Sequence, residues 1–216
     1  MLLKADNQPI DTRFGDAAWI TDFITPNNPD VILKYRELTQ GLSDPNDIAY
    51  SCWNFISHQP YIPLISSHLS AAGKTFRQSD TWFYPAESIR LGVGNCANKS
   101  FVLASILKNY FKAPGEVYCV VGNIALNGIG SHAWVEVNRG GRSILLESTQ
   151  PNIEHALIPK HLAGAYEAKV YFDENNVYTT DEKVSVRQVF QSHFGVCAVP
   201  FLKTYLCERC LSLEGV

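Results

Sequence analysis

Residues 95–110 read NCANKSFVLASILKNY, and this segment is the strongest indication of the fold. Its apolar side chains cover so much of a helical circumference that the pattern predicts a buried central helix over residues 96–110. The apolar positions are Phe101, Leu103, Ala104, Ile106, Leu107 and Tyr110. Asn95 has a side chain suited to capping the first turn. Cys96 is therefore expected at the N-terminus of the central helix.

Two further helices are predicted upstream, each opened by a capping side chain and a proline. The first begins at Pro29 and stops at Gly41, and the second begins at Pro45 and ends before Pro60. The capping residues are Asn28 and Asp44. Both segments place apolar residues at helical spacing, which favours packing against a common core.

The segments around these helices show no sustained period. Residues 1–28 are polar and interrupted by proline and asparagine, which predicts an irregular lead-in. Residues 61–85 are rich in serine, glycine and proline, which predicts a long connection that carries Trp82 and Tyr84 toward the cysteine. Packing is the favoured role for both aromatic residues, and hydrogen bonding to a substrate oxygen is the alternative.

Downstream of the central helix the pattern changes to β structure. Residues 117–126, 131–138 and 143–149 are predicted as three strands, with a loop over residues 127–130. Gly140-Gly141 supplies a two-residue turn between the second and third strands. The remaining predicted elements are a helical patch after Pro151, a hairpin around residues 173–176, and helical stretches at 184–194 and 200–211.

The glycine turn fixes the register of its hairpin. Pairing the two residues that flank the glycines places Trp134 opposite Glu147 and His132 opposite Thr149. His132 and Glu147 are then diagonal neighbours on one face, with roughly 7–8 Å between their backbones, which is within reach of a glutamate side chain. The opposite face is apolar and carries Ala133, Val135, Ile144 and Leu146.

These positions suit a catalytic triad of Cys96, His132 and Glu147. A thiol attacks as the thiolate, which a helix N-terminus and a neighbouring imidazolium both favour. His132 would act as general base and acid, and the Glu147 carboxylate would fix its tautomer. Taken singly, each residue fits an ordinary structural role better, but the helix start, the register and the chain order together favour catalysis.

The same residues carry a resemblance to a known family. Residues 85–107 read PAESIRLGVGNCANKSFVLASIL, residues 131–137 read SHAWVEV and residues 144–149 read ILLEST. Together they resemble the core of the transglutaminase-like superfamily. The resemblance implies a papain-like α+β fold, in which a central helix bearing the cysteine packs on an antiparallel sheet. It also implies acyl-enzyme chemistry on amides.

Two departures from the family pattern matter. The third triad residue of the family is usually aspartate, and here it is Glu147. The segment also resembles bacterial calcium-dependent proteinases that carry acidic residues around the cysteine, but this chain has Asn95, Ala97 and Asn98 there. Since calcium needs hard oxygen ligands such as carboxylates, we predict no calcium requirement. We also expect no cofactor, and we assign no metal ligand among the site residues.

The composition excludes several kinds of partner. Lys and Arg number 18 against 21 Asp and Glu, for a net charge of −3, and no run of basic residues could follow a phosphate backbone. No apolar stretch approaches the roughly 20 residues that cross a bilayer, and the N-terminus turns polar too soon for a signal peptide. We therefore expect a protein or peptide substrate, no nucleic acid, no membrane and a cytoplasmic location, with the oligomeric state left open.

The six cysteines are too sparse for a disulfide-stapled module, so free thiols are expected. Near the C-terminus the spacing of His193 and three cysteines leaves a structural zinc site open. The cysteines concerned are Cys197, Cys207 and Cys210. An amphipathic helix carrying two of these cysteines is the favoured interpretation, because one Cys-x-x-Cys pair is weak evidence for zinc.

The sequence thus predicts one domain over residues 1–216, with a core at about 29–180 and a helical extension at about 181–216. The predicted function is thiol-dependent acyl transfer on amide bonds, most simply as a cysteine peptidase or amidohydrolase. A transglutaminase and a non-catalytic binding or structural module of the same fold are the alternatives. The substrate and the choice among hydrolysis, cross-linking and deamidation stay open.

Overall fold

The computed structural model describes residues 2–7, 9–11, 17–62, 68–71, 74–77, 82–125 and 129–194. Its helices are α1 (Pro29–Thr39), α2 (Pro45–Ser57), α3 (Pro85–Leu91), α4 (Cys96–Leu107) and α5 (Val186–Phe194). Its strands are β1 (Leu3–Ala5), β2 (Pro9–Asp11), β3 (Ala17–Trp19), β4 (His68–Ala71), β5 (Lys74–Arg77), β6 (Val117–Ala125), β7 (Ile129–Arg139), β8 (Arg142–Leu146), β9 (Leu157–Pro159), β10 (Tyr166–Phe172) and β11 (Val177–Thr179). Short 3-10 helices occupy Ile20–Phe23, Ile153–His155 and Lys160–Leu162.

Seven of these strands form one antiparallel sheet in the order β1-β11-β10-β6-β7-β8-β9. The strands β2 and β3, and β4 and β5, form two separate pairs. Helix α4 packs on the middle of the large sheet, against β6 and β7. The α+β fold class is confirmed, with a cysteine-bearing helix on an antiparallel sheet as the family resemblance implies.

Helix α4 is the buried centre predicted from its apolar circumference, because every one of its residues is buried. The Asn95 side chain caps it by accepting a hydrogen bond from the backbone N–H of Asn98 at 3.0 Å. Phe101 and Leu103 are fully buried in the core between this helix and the inner face of the sheet. The helix ends at Leu107 and not at Tyr110.

The hairpin of β7 and β8 turns at the two predicted glycines. Both have positive φ, 56° for Gly140 and 74° for Gly141, and the flanking residues Arg139 and Arg142 pair as expected. The predicted extent of the third strand is wrong, since β8 ends at Leu146. The N–H of Glu147, the next residue, donates to the carbonyl of Ala156 at 2.8 Å, just before β9.

The two predicted upstream helices are confirmed as α1 and α2, with Asn28 and Asp44 as their N-caps. The prediction of an irregular lead-in over residues 1–28 is wrong, because β1 pairs with β11 at the edge of the large sheet. The prediction of a long connection without regular structure over residues 61–85 is also wrong, because this segment contains β4 and β5. The short helix α3 follows it from Pro85. Elements of three to seven residues are too short to show a period in the sequence.

Further along the chain, the predicted hairpin around residues 173–176 is confirmed as the turn between β10 and β11. The predicted helix over 184–194 is confirmed as α5, and the helical patch after Pro151 consists of 3-10 turns around β9. The predicted helix over 200–211 lies outside the described residues, as do residues 127 and 128 of the predicted loop. The prediction of a loop is wrong for residues 129 and 130, which belong to β7. Across the ranges that the structure covers, no helix is long and apolar enough to cross a membrane.

Candidate active site

Cys96 is the first residue of α4 and is 7% exposed. The N–H groups of a first helical turn have no acceptor within the helix and give this end a partial positive charge, which stabilises a thiolate. The side chain of Cys96 is hydrogen bonded to His132. The predicted partner of the cysteine therefore reaches it from β7.

His132 links the cysteine to Glu147. Its Nε2 lies 2.7 Å from Oε2 of Glu147, so this nitrogen carries the hydrogen and Nδ1 is left to face the thiol. Burial disfavours the imidazolium, but the hydrogen bonds and negative charges of Cys96 and Glu147 outweigh it and raise the pKa of His132 to about 10. The imidazole thus holds its proton at neutral pH when the cysteine is ionised.

The Glu147 carboxylate is buried and accepts four hydrogen bonds. Oε2 accepts from Nε2 of His132 at 2.7 Å and from the hydroxyl of Tyr166 at 3.0 Å. Oε1 accepts from the backbone N–H of Thr149 at 2.9 Å and from its hydroxyl at 2.7 Å. Burial raises the pKa of Glu147, but the bonds from His132 and Thr149 outweigh it, so the pKa lies below its ordinary value.

The backbone around Glu147 is tied to both flanking helices. The indole N–H of Trp53, on α2, donates to the carbonyl of Glu147 at 3.0 Å. The hydroxyl of Ser148 is hydrogen bonded to that of Ser100, one turn beyond the cysteine on α4, at 2.9 Å. These contacts fix the carboxylate relative to the nucleophile helix although Glu147 lies beyond the end of its strand.

The predicted diagonal contact between His132 and Glu147 is thus present, but not by the predicted pairing. Trp134 does not pair with Glu147, nor His132 with Thr149, because β8 ends before them. The glutamate side chain spans the remaining distance, as the register of the hairpin predicts. Thr149 does not lie opposite His132 and instead donates to the carboxylate of Glu147, two residues before it in the chain.

Two residues of the site were not predicted from the sequence. Tyr166 approaches Glu147 from β10. The sequence gives no local pattern that places β10 near Glu147, because that position depends on the pairing of β10 with β6. Lys99 is buried beside the site, where its ammonium donates to the carbonyls of Gln59 at 2.6 Å and Ser57 at 3.2 Å. Burial lowers the pKa of Lys99 to about 8 against the opposing charge of Glu147. In the sequence Lys99 stands between Asn98 and Ser100, and these polar neighbours give no sign that it is buried.

The aromatic residues before the cysteine pack as favoured. Trp82 is fully buried and meets Phe101 edge to face at 5.0 Å between ring centroids. Tyr84 stacks on Phe23 at 5.2 Å. The segment does reach the cysteine end of α4, because the N–H of Phe83 donates to the side chain of Asn98 at 2.8 Å.

Metal ligands are a separate question. Among the residues that the structure describes, no group of three His, Cys, Asp or Glu side chains could hold a metal ion. The zinc alternative is not addressed by this, because Cys197, Cys207 and Cys210 lie outside those ranges and the side chain of His193 is not described either. Cys52, Cys96 and Cys119 are free thiols, as expected.

No protein-family model matches the chain, and no curated protein does. Among solved structures, LapG of Legionella pneumophila is similar with a TM-score of 0.44 and 13% identity, over 69% of this chain and 87% of that one. Its calcium-bound form gives 0.40 and 14%, over 72% and 93%. A Cytophaga hutchinsonii protein described only as a candidate cysteine protease gives 0.41 and 15%, over 83% and 60%. At this level the similarity carries no argument about activity.

Proposed function

We propose that this chain is a cysteine-dependent acyl-transfer enzyme that acts on amide bonds of a protein or peptide, with Cys96, His132 and Glu147 as its triad. The observation that supports it is the continuous hydrogen-bonded line from the thiol through the imidazole to a carboxylate that is 1% exposed. A nucleophile, a base and a group that orients the base are what acyl transfer requires.

In the first half of the reaction the Cys96 thiolate attacks the carbonyl carbon of the amide and forms the carbon–sulfur bond. The negative charge moves to the carbonyl oxygen, and the backbone N–H of Cys96, which has no acceptor within the helix, can donate to it. His132 then gives its proton to the amide nitrogen, the carbon–nitrogen bond breaks, and the amine leaves. The product on the enzyme is a thioester.

In the second half, neutral His132 removes a proton from water, and the resulting hydroxide attacks the thioester carbon. The carbon–sulfur bond breaks, the carboxylic acid leaves, and the thiolate and imidazolium are restored. Glu147 keeps its charge throughout and stabilises the imidazolium at each stage. We favour hydrolysis over transfer to an amine because water is the default acceptor and His132 is 12% exposed, not sealed from solvent.

The experiment uses p-nitrophenyl acetate, which acylates an activated thiol without any knowledge of the natural substrate. We expect a burst of about one equivalent of nitrophenol per chain, with the acetyl group located on Cys96 by mass spectrometry, followed by slow turnover. The variants Cys96→Ala and His132→Ala should lose the burst. Cys52→Ala should keep it, because burial raises the pKa of the Cys52 thiol to about 12 and leaves it protonated.

A folded parent chain without a burst, or with a burst that survives in Cys96→Ala, would overturn the proposal and favour a binding module. Addition of a primary amine during turnover separates the two enzymatic alternatives. Hydrolysis predicts acetate as the main product, whereas a transglutaminase-like acyltransferase would give mainly the acetylated amine.

A further inference from the structure

Tyr166 contacts the acidic member of the proposed triad and has no part in the mechanism above. Its hydroxyl donates to Oε2 of Glu147 at 3.0 Å, the same oxygen that accepts from Nε2 of His132 at 2.7 Å. Burial and the nearby charge of Glu147 both raise the pKa of Tyr166, so the phenol stays protonated and is a donor. Two donors therefore share one carboxylate oxygen.

We propose that Tyr166 is a positioning residue that sets how strongly Glu147 holds the proton of His132; this rests on the function proposed above. A donor that shares an oxygen with the imidazolium takes part of the negative charge on that oxygen. The hydroxyl of Tyr166 thereby weakens the attraction between Glu147 and the imidazolium. The result is a His132 that is still held in place but releases its proton to the leaving amine more readily.

The hydroxyl can act in this way because the tyrosine ring is fixed. The ring meets Trp134 edge to face, with 5.3 Å between centroids and 74° between planes. Trp134 is itself held by a hydrogen bond from its indole N–H to Glu136 at 3.3 Å, and it stacks against His132 at 6.3 Å. The backbone N–H of Tyr166 donates to Ala163 at 2.9 Å. One rigid aromatic set thus holds both donors of the shared oxygen.

The charged groups around His132 come from four elements. Cys96 faces it from α4, Glu147 from the end of β8 and Tyr166 from β10. Lys99, on α4, acts on Glu147 through its charge. On β7 itself, the nearest carboxylate is Glu136, which is neutralised by an ion pair with Lys160 at 2.6 Å. A change in the His132 titration on loss of the Tyr166 hydroxyl is therefore assigned through Glu147.

The test is a histidine NMR titration of the full chain in a Cys96→Ala background, where no thiolate couples to the imidazole. The His132 signal is identified by its loss in His132→Gln. Tyr166→Phe removes the hydroxyl and keeps the ring, and we expect the pKa of His132 to rise by roughly half a unit to one unit. Tyr178→Phe is the matched control, because Tyr178 lies on β11 beside Tyr118 and should leave that pKa unchanged.

A second variant keeps the inference testable if Tyr166→Phe folds poorly. Site-specific 3-fluorotyrosine at position 166 keeps the size of the side chain and strengthens the donor, so the pKa of His132 should fall. Shifts of opposite sign support the proposal, because a purely structural role would not produce them. An unchanged His132 pKa in either folded variant overturns it.

The titration needs no substrate and no turnover, so the two proposals fail separately. A shift of the His132 pKa in a chain that shows no acylation of Cys96 would remove the proposed function and leave the role of Tyr166. Acylation of Cys96 without any shift would do the reverse.

Discussion

Replacement of Glu147 by glutamine is the most informative single change to the buried carboxylate. The carboxylate accepts four hydrogen bonds, from His132, Tyr166 and two groups of Thr149. A glutamine side chain of the same shape offers one acceptor oxygen and one NH₂ group. In Glu147→Gln, two of the four buried donors therefore face the NH₂ group and lose their acceptor, and the imidazolium loses its charged partner.

The expected loss of stability follows from those contacts. A buried donor without an acceptor costs roughly 1–3 kcal/mol, and breaking a buried charged pair costs roughly 3–5 kcal/mol. We expect Glu147→Gln to lower the free energy of unfolding by about 3–5 kcal/mol, a large share of the roughly 5–15 kcal/mol of a typical domain. Urea denaturation followed by circular dichroism at pH 7 measures it, provided that the m-value is unchanged.

Glu154→Gln is the matched control for this experiment. Glu154 lies in the 3-10 turn Ile153–His155 and is exposed, so its replacement should change the free energy of unfolding by no more than about 0.5 kcal/mol. A loss below about 1 kcal/mol in Glu147→Gln would refute the reasoning, because four satisfied donors on a buried carboxylate cannot be disturbed at so small a cost.

Three further predictions concern the free energy of unfolding. Gly122→Ala should destabilise the protein by several kcal/mol, because an added Cβ would lie 2.1 Å from the carbonyl oxygen of Glu167. Gly164→Ala, at a position with open space around it, should cost about 1 kcal/mol or less. Urea denaturation of both variants measures the difference. The parent should be more stable than His132→Gln by a full and constant amount below pH 6.5, and this difference should decline as the pH rises toward about 10. The reason is that folding raises the pKa of His132. A difference that stays constant up to pH 10 would contradict this prediction. The parent should gain stability relative to Lys99→Met, on the order of 3 kcal/mol in total, as the pH rises from about 8 to 10.5. The reason is that burial lowers the pKa of Lys99 in the folded state. Denaturation measured over this pH range without such a gain would contradict the prediction.

The sequence was informative wherever one residue type decides a local structure. The apolar circumference of residues 96–107 required a buried helix, and the capping side chain of Asn95 fixed where that helix starts. Gly140 and Gly141 fixed the hairpin turn, and that turn set the face of β7 that carries His132. These three local signals were enough to bring the proposed triad residues together, and their catalytic role stays a prediction.

The rest of the site depends on pairings between distant segments. Tyr166 reaches Glu147 because β10 pairs with β6, and the other edge of β6 pairs with β7. Lys99 is held by carbonyls at the end of α2, and nothing in its own surroundings in the sequence distinguishes it from an ordinary exposed lysine. The edge strand β1 depends in the same way on β11. Such contacts are decided by tertiary packing, which a local period does not encode.

Whether Cys96 is held as a thiolate beside the His132 imidazolium is measured by pH-dependent iodoacetamide labelling with peptide mapping. Cys52 and Cys119 are internal references, since burial raises the pKa of both thiols. We expect Cys96 to label fastest, to stay reactive well below pH 8 and to lose that reactivity in His132→Ala. Labelling of Cys96 no faster than that of the reference thiols, or unchanged in His132→Ala, would contradict this expectation.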